Sequence, residues 1–187
     1  MSNIGLFLKQ MWRNPKEVSA IAPSSKTLAK RMAASIPAAQ GTVIELGAGT
    51  GIVTRAVLDT GLAPSSLYSF EINEEFIDFL SPSFPRVNFV ADWAQNLGRH
   101  GIEDVKAVIS GLPLLSMDIA TQRAIVGAVF DALRPGGVYI QFTYGLSPSI
   151  DASLIEEFGL GWTRSSRVWG NLPPATSYTF YRKSDKR

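Results

Sequence analysis

At 187 residues the chain is long enough for one well-cored α/β domain and too short for two, and 45% hydrophobic against 18% charged residues places it in the globular class, poor in charge. The formal net charge is only +2, but basic residues gather in the first 31 positions and after position 163, so one face is expected to be basic and suited to phosphates or an anionic membrane. With no cysteine and a single histidine, His100 in a glycine-flanked loop, there is no disulfide framework, thiolate site or histidine cluster, so no metal is expected and His100 is read as a surface imidazole without a role.

The chain opens on an apolar stripe. Ile4, Phe7, Leu8, Met11 and Trp12 follow helical spacing while Lys9 and Arg13 project from the opposite side, a pattern that suits an interfacial helix. Five apolar side chains at roughly 1.5–3 kcal/mol each, helped by roughly 1 kcal/mol per basic residue beside anionic lipid, suffice for reversible bilayer binding. The same stripe fits a lid packed over a bound ligand. No uncharged run reaches the ~18 residues of a membrane span, and the N-terminus lacks a signal-peptide pattern, so the chain is expected on the cytosolic side. A second helix is predicted over residues 26–35.

Residues 43–46 read as a buried strand running into Gly47-Ala48-Gly49-Thr50-Gly51. Glycines spaced two apart remove side chains where a ligand approaches the backbone. The spacing predicts a helix over 52–60 ending at Gly61, a strand over 67–71, and a helix capped by Asn73 and stopped at Ser81-Pro82. A third strand follows over 87–91, a fourth over Val105–Ser110, a helix over 118–133, and a fifth strand over 138–143 after Arg134-Pro135-Gly136-Gly137. Residues 162–168 and Thr176–Arg182 read as a closing strand pair. Strands alternating with helices give a mostly parallel sheet whose ligands sit beyond the carboxyl ends of the strands.

A dinucleotide fingerprint would need glycine where Ile52 stands. The loop instead resembles motif I of the class I S-adenosylmethionine-dependent methyltransferases, with Glu45, Gly47, Gly49 and Gly51 in place around Ala48. That resemblance implies a Rossmann-like sheet of seven strands, mostly parallel with an antiparallel closing strand, and S-adenosylmethionine as cofactor. Glu71, twenty residues after Gly51 and closing the second strand, sits where a carboxylate accepts from both ribose hydroxyls. By the same resemblance Asp92 would bind the adenine amino group and Trp93 or Ile72 would cover the ring, although for Trp93 ordinary core packing is the stronger reading.

Ser110-Gly111-Leu112-Pro113, after the fourth strand, occupies the place where amino-methyltransferases hold the methyl-accepting nitrogen, which marks Ser110, Gly111 and Leu112 as catalytic candidates and Ser110 also as a cofactor contact. Nucleic-acid N-methyltransferases place an aromatic after the proline to stack a flipped base; Leu114 stands there instead, so a nucleobase and nucleic-acid partners are disfavoured. Together with Asn14-Pro15-Lys16-Glu17-Val18-Ser19-Ala20-Ile21-Ala22-Pro23-Ser24-Ser25 and Asn171-Leu172-Pro173-Pro174-Ala175, these motifs resemble the bacterial phospholipid N-methyltransferases, which convert phosphatidylethanolamine stepwise toward phosphatidylcholine.

What that resemblance implies is an N-terminal helical segment over residues 1–35 that binds membrane or acts as a lid, and a methyltransferase domain over 36–187. Ser24 and Ser25 would contact the cofactor. Tyr144 at the end of strand five, with Trp169 and Tyr178, are candidates for an aromatic cage around the methylated ammonium, and Arg167 for the lipid phosphate; each also fits ordinary packing or an exposed cation. Tyr144 joins the catalytic candidates. The expected enzyme is peripheral, on the cytoplasmic face of the inner membrane, with no covalent nucleophile and no dedicated base. The rivals are a methyltransferase of ribosomal RNA adenine and a non-catalytic membrane-binding module. Oligomeric state is not legible.

Overall fold

A computed structural model of the chain describes residues 25–171 and 173–185. The stripe from Ile4 to Arg13, Ser24 and the basic end at Lys186 and Arg187 lie outside the described residues.

Helix α1 (Lys26–Ala33) starts where Ser25 Oγ accepts the Leu28 amide, and it ends two residues before the predicted boundary. Then follow β1 (Thr42–Leu46), α2 (Ile52–Leu58), β2 (Leu67–Phe70), α3 (Glu74–Leu80), β3 (Asn88–Val90), β4 (Val105–Ser110), α4 (Ile119–Ala132), β5 (Leu133–Thr143), α5 (Ala152–Glu157), β6 (Leu160–Arg164) and β7 (Thr176–Arg182). The strands form one sheet in the order β3-β2-β1-β4-β5-β7-β6. All pairs are parallel except those of β7, which runs antiparallel to both β5 and β6.

Both faces of the sheet are covered, which is why its strands read as apolar runs rather than alternations. On one face Ile44, Val108, Tyr139 and Phe180 pack with Val126, Val129 and Phe130 of α4. On the other, Val43, Ile109 and Ile140 pack with Leu28 and Met32 of α1 and Val57 of α2. Even Lys106 is buried in β4, its Nζ escaping to donate to Ala39 O at 2.6 Å.

Beyond small shifts at helix ends, two strands and one helix differ from the sequence reading. β5 begins before the Arg134-Pro135-Gly136-Gly137 turn: pairing jumps from Val105 opposite Leu133 to Ala107 opposite Val138, so the turn is looped out of a continuing ladder. β6 stops at Arg164, because Ser165 Oγ accepts the Ser177 amide and displaces a backbone acceptor; Val168 makes only one bridge, to Ala175. Helix α5, unpredicted for want of a long periodic run, is capped by Asp151, which accepts from the Ser153 amide at 2.9 Å. The order reverses between β1 and β4, so the loops after these two strands diverge and open a crevice at the carboxyl edge.

Candidate active site

The glycine loop after β1 is built on two carboxylates. Glu71, the residue after β2 and 6% exposed, accepts the Gly49 amide on Oε2 and the Asn73 amide on Oε1, both at 3.0 Å. One side chain therefore fixes the loop and the entrance to α3, while its remaining lone pairs face the crevice it lines. The glycines do different jobs. Gly51, at φ +78°, leaves no room for a side chain: a Cβ there would lie 2.6 Å from Leu80 Cδ2 and 2.9 Å from Phe84 Cε2. Gly49, at φ +51°, meets nothing within 4 Å, so its open side is free for a ligand. Ala48 packs against Leu80 and Phe84.

Glu45 lies behind the loop on the α2 face. Its Oε2 accepts from Thr54 Oγ1 and Ser69 Oγ, both at 2.7 Å, while Oε1 is buried with no partner. Complete burial pushes its carboxyl up to about 7; the two hydroxyl bonds offset only part of this, and the nearby Glu71 charge adds to the rise.

Beyond β3, Asp92 is held ionised. Oδ1 accepts from Asn96 Nδ2 and the Trp93 amide, both at 2.7 Å, and Oδ2 lies 2.9 Å from His100 Nε2. Asn96 and then His100 hold the carboxyl down at about 2. His100, read from sequence as a bare surface imidazole, instead orients this aspartate and sets its ring edge-on to Phe70 at 5.1 Å. Trp93 is 56% exposed, which corrects the alternative of a core tryptophan.

Past β4 the chain turns through Ser110 and Gly111 to Leu112. Ser110 is fully buried and its Oγ accepts the Leu112 amide at 3.1 Å, so the hydroxyl shapes the loop. Gln141, buried in β5, donates from Nε2 to Leu112 O at 2.5 Å and accepts from Tyr139 OH at 2.7 Å. Gln141 carried no sequence signal beyond being polar in an apolar strand. Burial drives the Tyr139 phenol far above its ordinary range, keeping it a donor.

The three cage candidates stand in different surroundings. Tyr178 is 1% exposed; its hydroxyl donates to Leu146 O and its ring stacks on Phe180, which makes it core. Arg167 donates through Nη1 to Gly145 O and through Nη2 to Tyr144 O and Pro174 O. Its charge clamps two loops together instead of offering a fork to a phosphate. Trp169 is 76% exposed beneath that guanidinium. Tyr144 is part-exposed, hydrogen-bonded to the Asn171 side chain, and burial raises its phenol. Asn171 also accepts the Ser25 amide at 2.7 Å, which ties the start of α1 to this edge, and Ser25 Oγ caps α1.

A cavity of about 460 Å³ brings several of the candidates together. Gly47, Glu71, Ile72, Asp92, Trp93 and Leu112 line it, with Met117, Thr121 and Ile125 as a wall the sequence did not reveal. An apolar slot between two oriented carboxylates, beside a loop whose central glycine is open, fits a nucleoside with a cationic tail.

No protein-family model matches the chain. Ornithine lipid N-methyltransferase of Singulisphaera acidiphila is 32% identical over 151 residues, covering 76% of this chain and 79% of that enzyme. Among solved structures, a TehB-like S-adenosylmethionine-dependent methyltransferase from Corynebacterium glutamicum superposes with a TM-score of 0.67 at 14% identity, over 94% of this chain and 96% of its own. The glycopeptide N-methyltransferase MtfA, complexed with sinefungin, also gives 0.67 at 14% identity, over 87% and 95%.

Proposed function

Because the chain belongs to the same family as its ornithine lipid relative, among the class I S-adenosylmethionine-dependent N-methyltransferases, we propose that it methylates the amine of phosphatidylethanolamine, stepwise toward phosphatidylcholine. S-Adenosylmethionine is the methyl donor, and its sulfonium supplies an already activated methyl group. Glu71 holds the ribose hydroxyls, Asp92 the adenine amino group, and Ile72, Trp93 and Leu112 enclose the ring.

The observation that carries a lipid over a nucleobase is Leu114. It is 1% exposed, buried in the core next to the acceptor loop, where a base-stacking aromatic would have to project into the crevice. The chain has little chemistry to perform beyond placement: the acceptor amine, with a free pKa near 10, must shed its proton, and desolvation beside a cationic donor favours the neutral form. The loop from Ser110 to Pro113, held by Gln141, positions that amine. The proposal places the enzyme as a peripheral protein on the cytoplasmic face of the inner membrane.

The curated relative supports a second reading, in which the acceptor is the amine of an ornithine lipid. Labelled S-adenosylmethionine given with phosphatidylethanolamine vesicles, ornithine lipid vesicles or RNA separates these. Label in phosphatidylethanolamine is expected. Label confined to ornithine lipid selects the second reading, and label in RNA alone rejects both.

A further inference from the structure

We propose that the knuckle formed by Leu146, Trp169 and Tyr144 at the carboxyl edge of the sheet is a membrane-seating surface, which presses the crevice onto an anionic bilayer. The proposal rests on the reading that the acceptor is a membrane lipid. Leu146 is 79% exposed, Trp169 76% and Tyr144 40%, large apolar side chains that nothing in the described fold covers. They come from two loops, one after β5 and one between β6 and β7, that lie side by side because Thr143 pairs with Thr176. Arg167 locks them: its guanidinium donates to the Tyr144, Gly145 and Pro174 carbonyls and sits 5.8 Å from the Trp169 ring centroid. Tyr178 OH holds Leu146 O from beneath. A rigid clamp under exposed apolar tips is expensive unless the tips are used.

Charge and chain direction select the occupant. Arg164 ends β6 on this edge and Lys26 begins α1 directly after Ser25, which is tied to the β6–β7 loop; both are exposed. A tryptophan and a leucine flanked by cations suit the interface of an anionic bilayer, where an indole sits at headgroup depth. The first 24 residues join the fold at Ser25, whose amide is held by Asn171 in the same β6–β7 loop. The sequence preceding Ser25, which carries the apolar residues Ile4 to Trp12, therefore enters the described fold at the edge that bears the knuckle.

The test uses the full chain and vesicles of phosphatidylglycerol and phosphatidylcholine, which contain no primary amine, so binding is read independently of methyl transfer. The double variant Leu146→Ser, Trp169→Ser is expected to lower vesicle partitioning about tenfold. Because the chain has no cysteine, Leu146→Cys accepts a single environment-sensitive fluorophore, whose emission is expected to shift to the blue on adding vesicles. Unchanged partitioning of the double variant, or vesicle binding without a spectral shift, overturns the proposal. A fluorophore already blue-shifted and unmoved by vesicles means that the first 24 residues cover the face; a shift that follows protein concentration without vesicles means a second copy does. Either result also overturns it. Failure of label transfer to phosphatidylethanolamine with seating intact would instead reject the substrate reading.

Discussion

The Gly49 amide donates to the Glu71 carboxylate at 3.0 Å, across the gap between the glycine loop and the end of β2. The acid that is to hold the ribose also holds the loop that passes over it, so cofactor affinity and loop order share one side chain. Hydrogen bonds to a charged acceptor contribute about 1.5–3 kcal/mol each. Glu71→Ala is therefore expected to weaken S-adenosylmethionine binding by at least about tenfold in titration calorimetry, with Glu71→Gln intermediate. An unchanged affinity in the alanine variant would mean the ribose lies elsewhere.

Two glycines of one motif should fail in different ways. At Gly51 a methyl group would collide with Leu80 and Phe84, so Gly51→Ala is expected to lower the melting temperature by overpacking, at about 1–3 kcal/mol beyond its left-handed strain. At Gly49 a methyl group meets no protein atom and carries only the strain, about 1–2 kcal/mol, but it enters the open side of the loop. Gly49→Ala is thus expected to fold and lose cofactor. Melting with and without S-adenosylmethionine reads both, and equal ligand-induced stabilisation of Gly49→Ala and wild type would refute the assignment.

Glu45 gives the apo enzyme a pH dependence of defined sign. Its carboxyl is raised from 4.5 to about 7 by burial, so between these values the folded chain retains a proton that the unfolded chain has released. Stability from this group is fully present below pH 4.5 and is lost as pH rises through 7, a difference of about 3 kcal/mol. Glu45→Gln removes the titration. Denaturant melts at pH 5 and pH 8 are expected to show the variant gaining on wild type at the higher pH; parallel curves would show that Glu45 does not titrate in this range.

The sheet and the residues that line the crevice were legible because each rests on local patterns: apolar runs between turn residues, glycines spaced two apart, acids closing strands. Glu71 and Asp92 fall where strand ends put them, and Ile72 and Trp93 follow from adjacency. The acceptor side was not legible in the same way. Tyr178 and Arg167 sit on strands and loops whose register was set by Ser165 and by the Asn171 junction, and a residue or two of register decides whether a ring faces the crevice or the core. His100 and Gln141 act through other side chains, and nothing in residue type or spacing announces a partner eight residues back or one strand away.

Gln141 is where that second kind of residue can be tested. Its amide spans Leu112 O and Tyr139 OH, one end on the acceptor loop and the other in the core. Gln141→Leu leaves the buried phenol and the loop carbonyl without this partner, and the loss is expected to be about 1–3 kcal/mol of stability. If the loop positions the amine, as the proposed function has it, turnover should fall while the KM for S-adenosylmethionine stays within about twofold. Adding Tyr139→Phe removes the phenol that has lost this partner and keeps only Ser110, so the double variant is expected to recover part of the stability without recovering turnover. Recovery of both in the double variant would mean that Gln141 serves only the core, and a raised KM for the cofactor would move its influence from the acceptor loop to the cofactor slot.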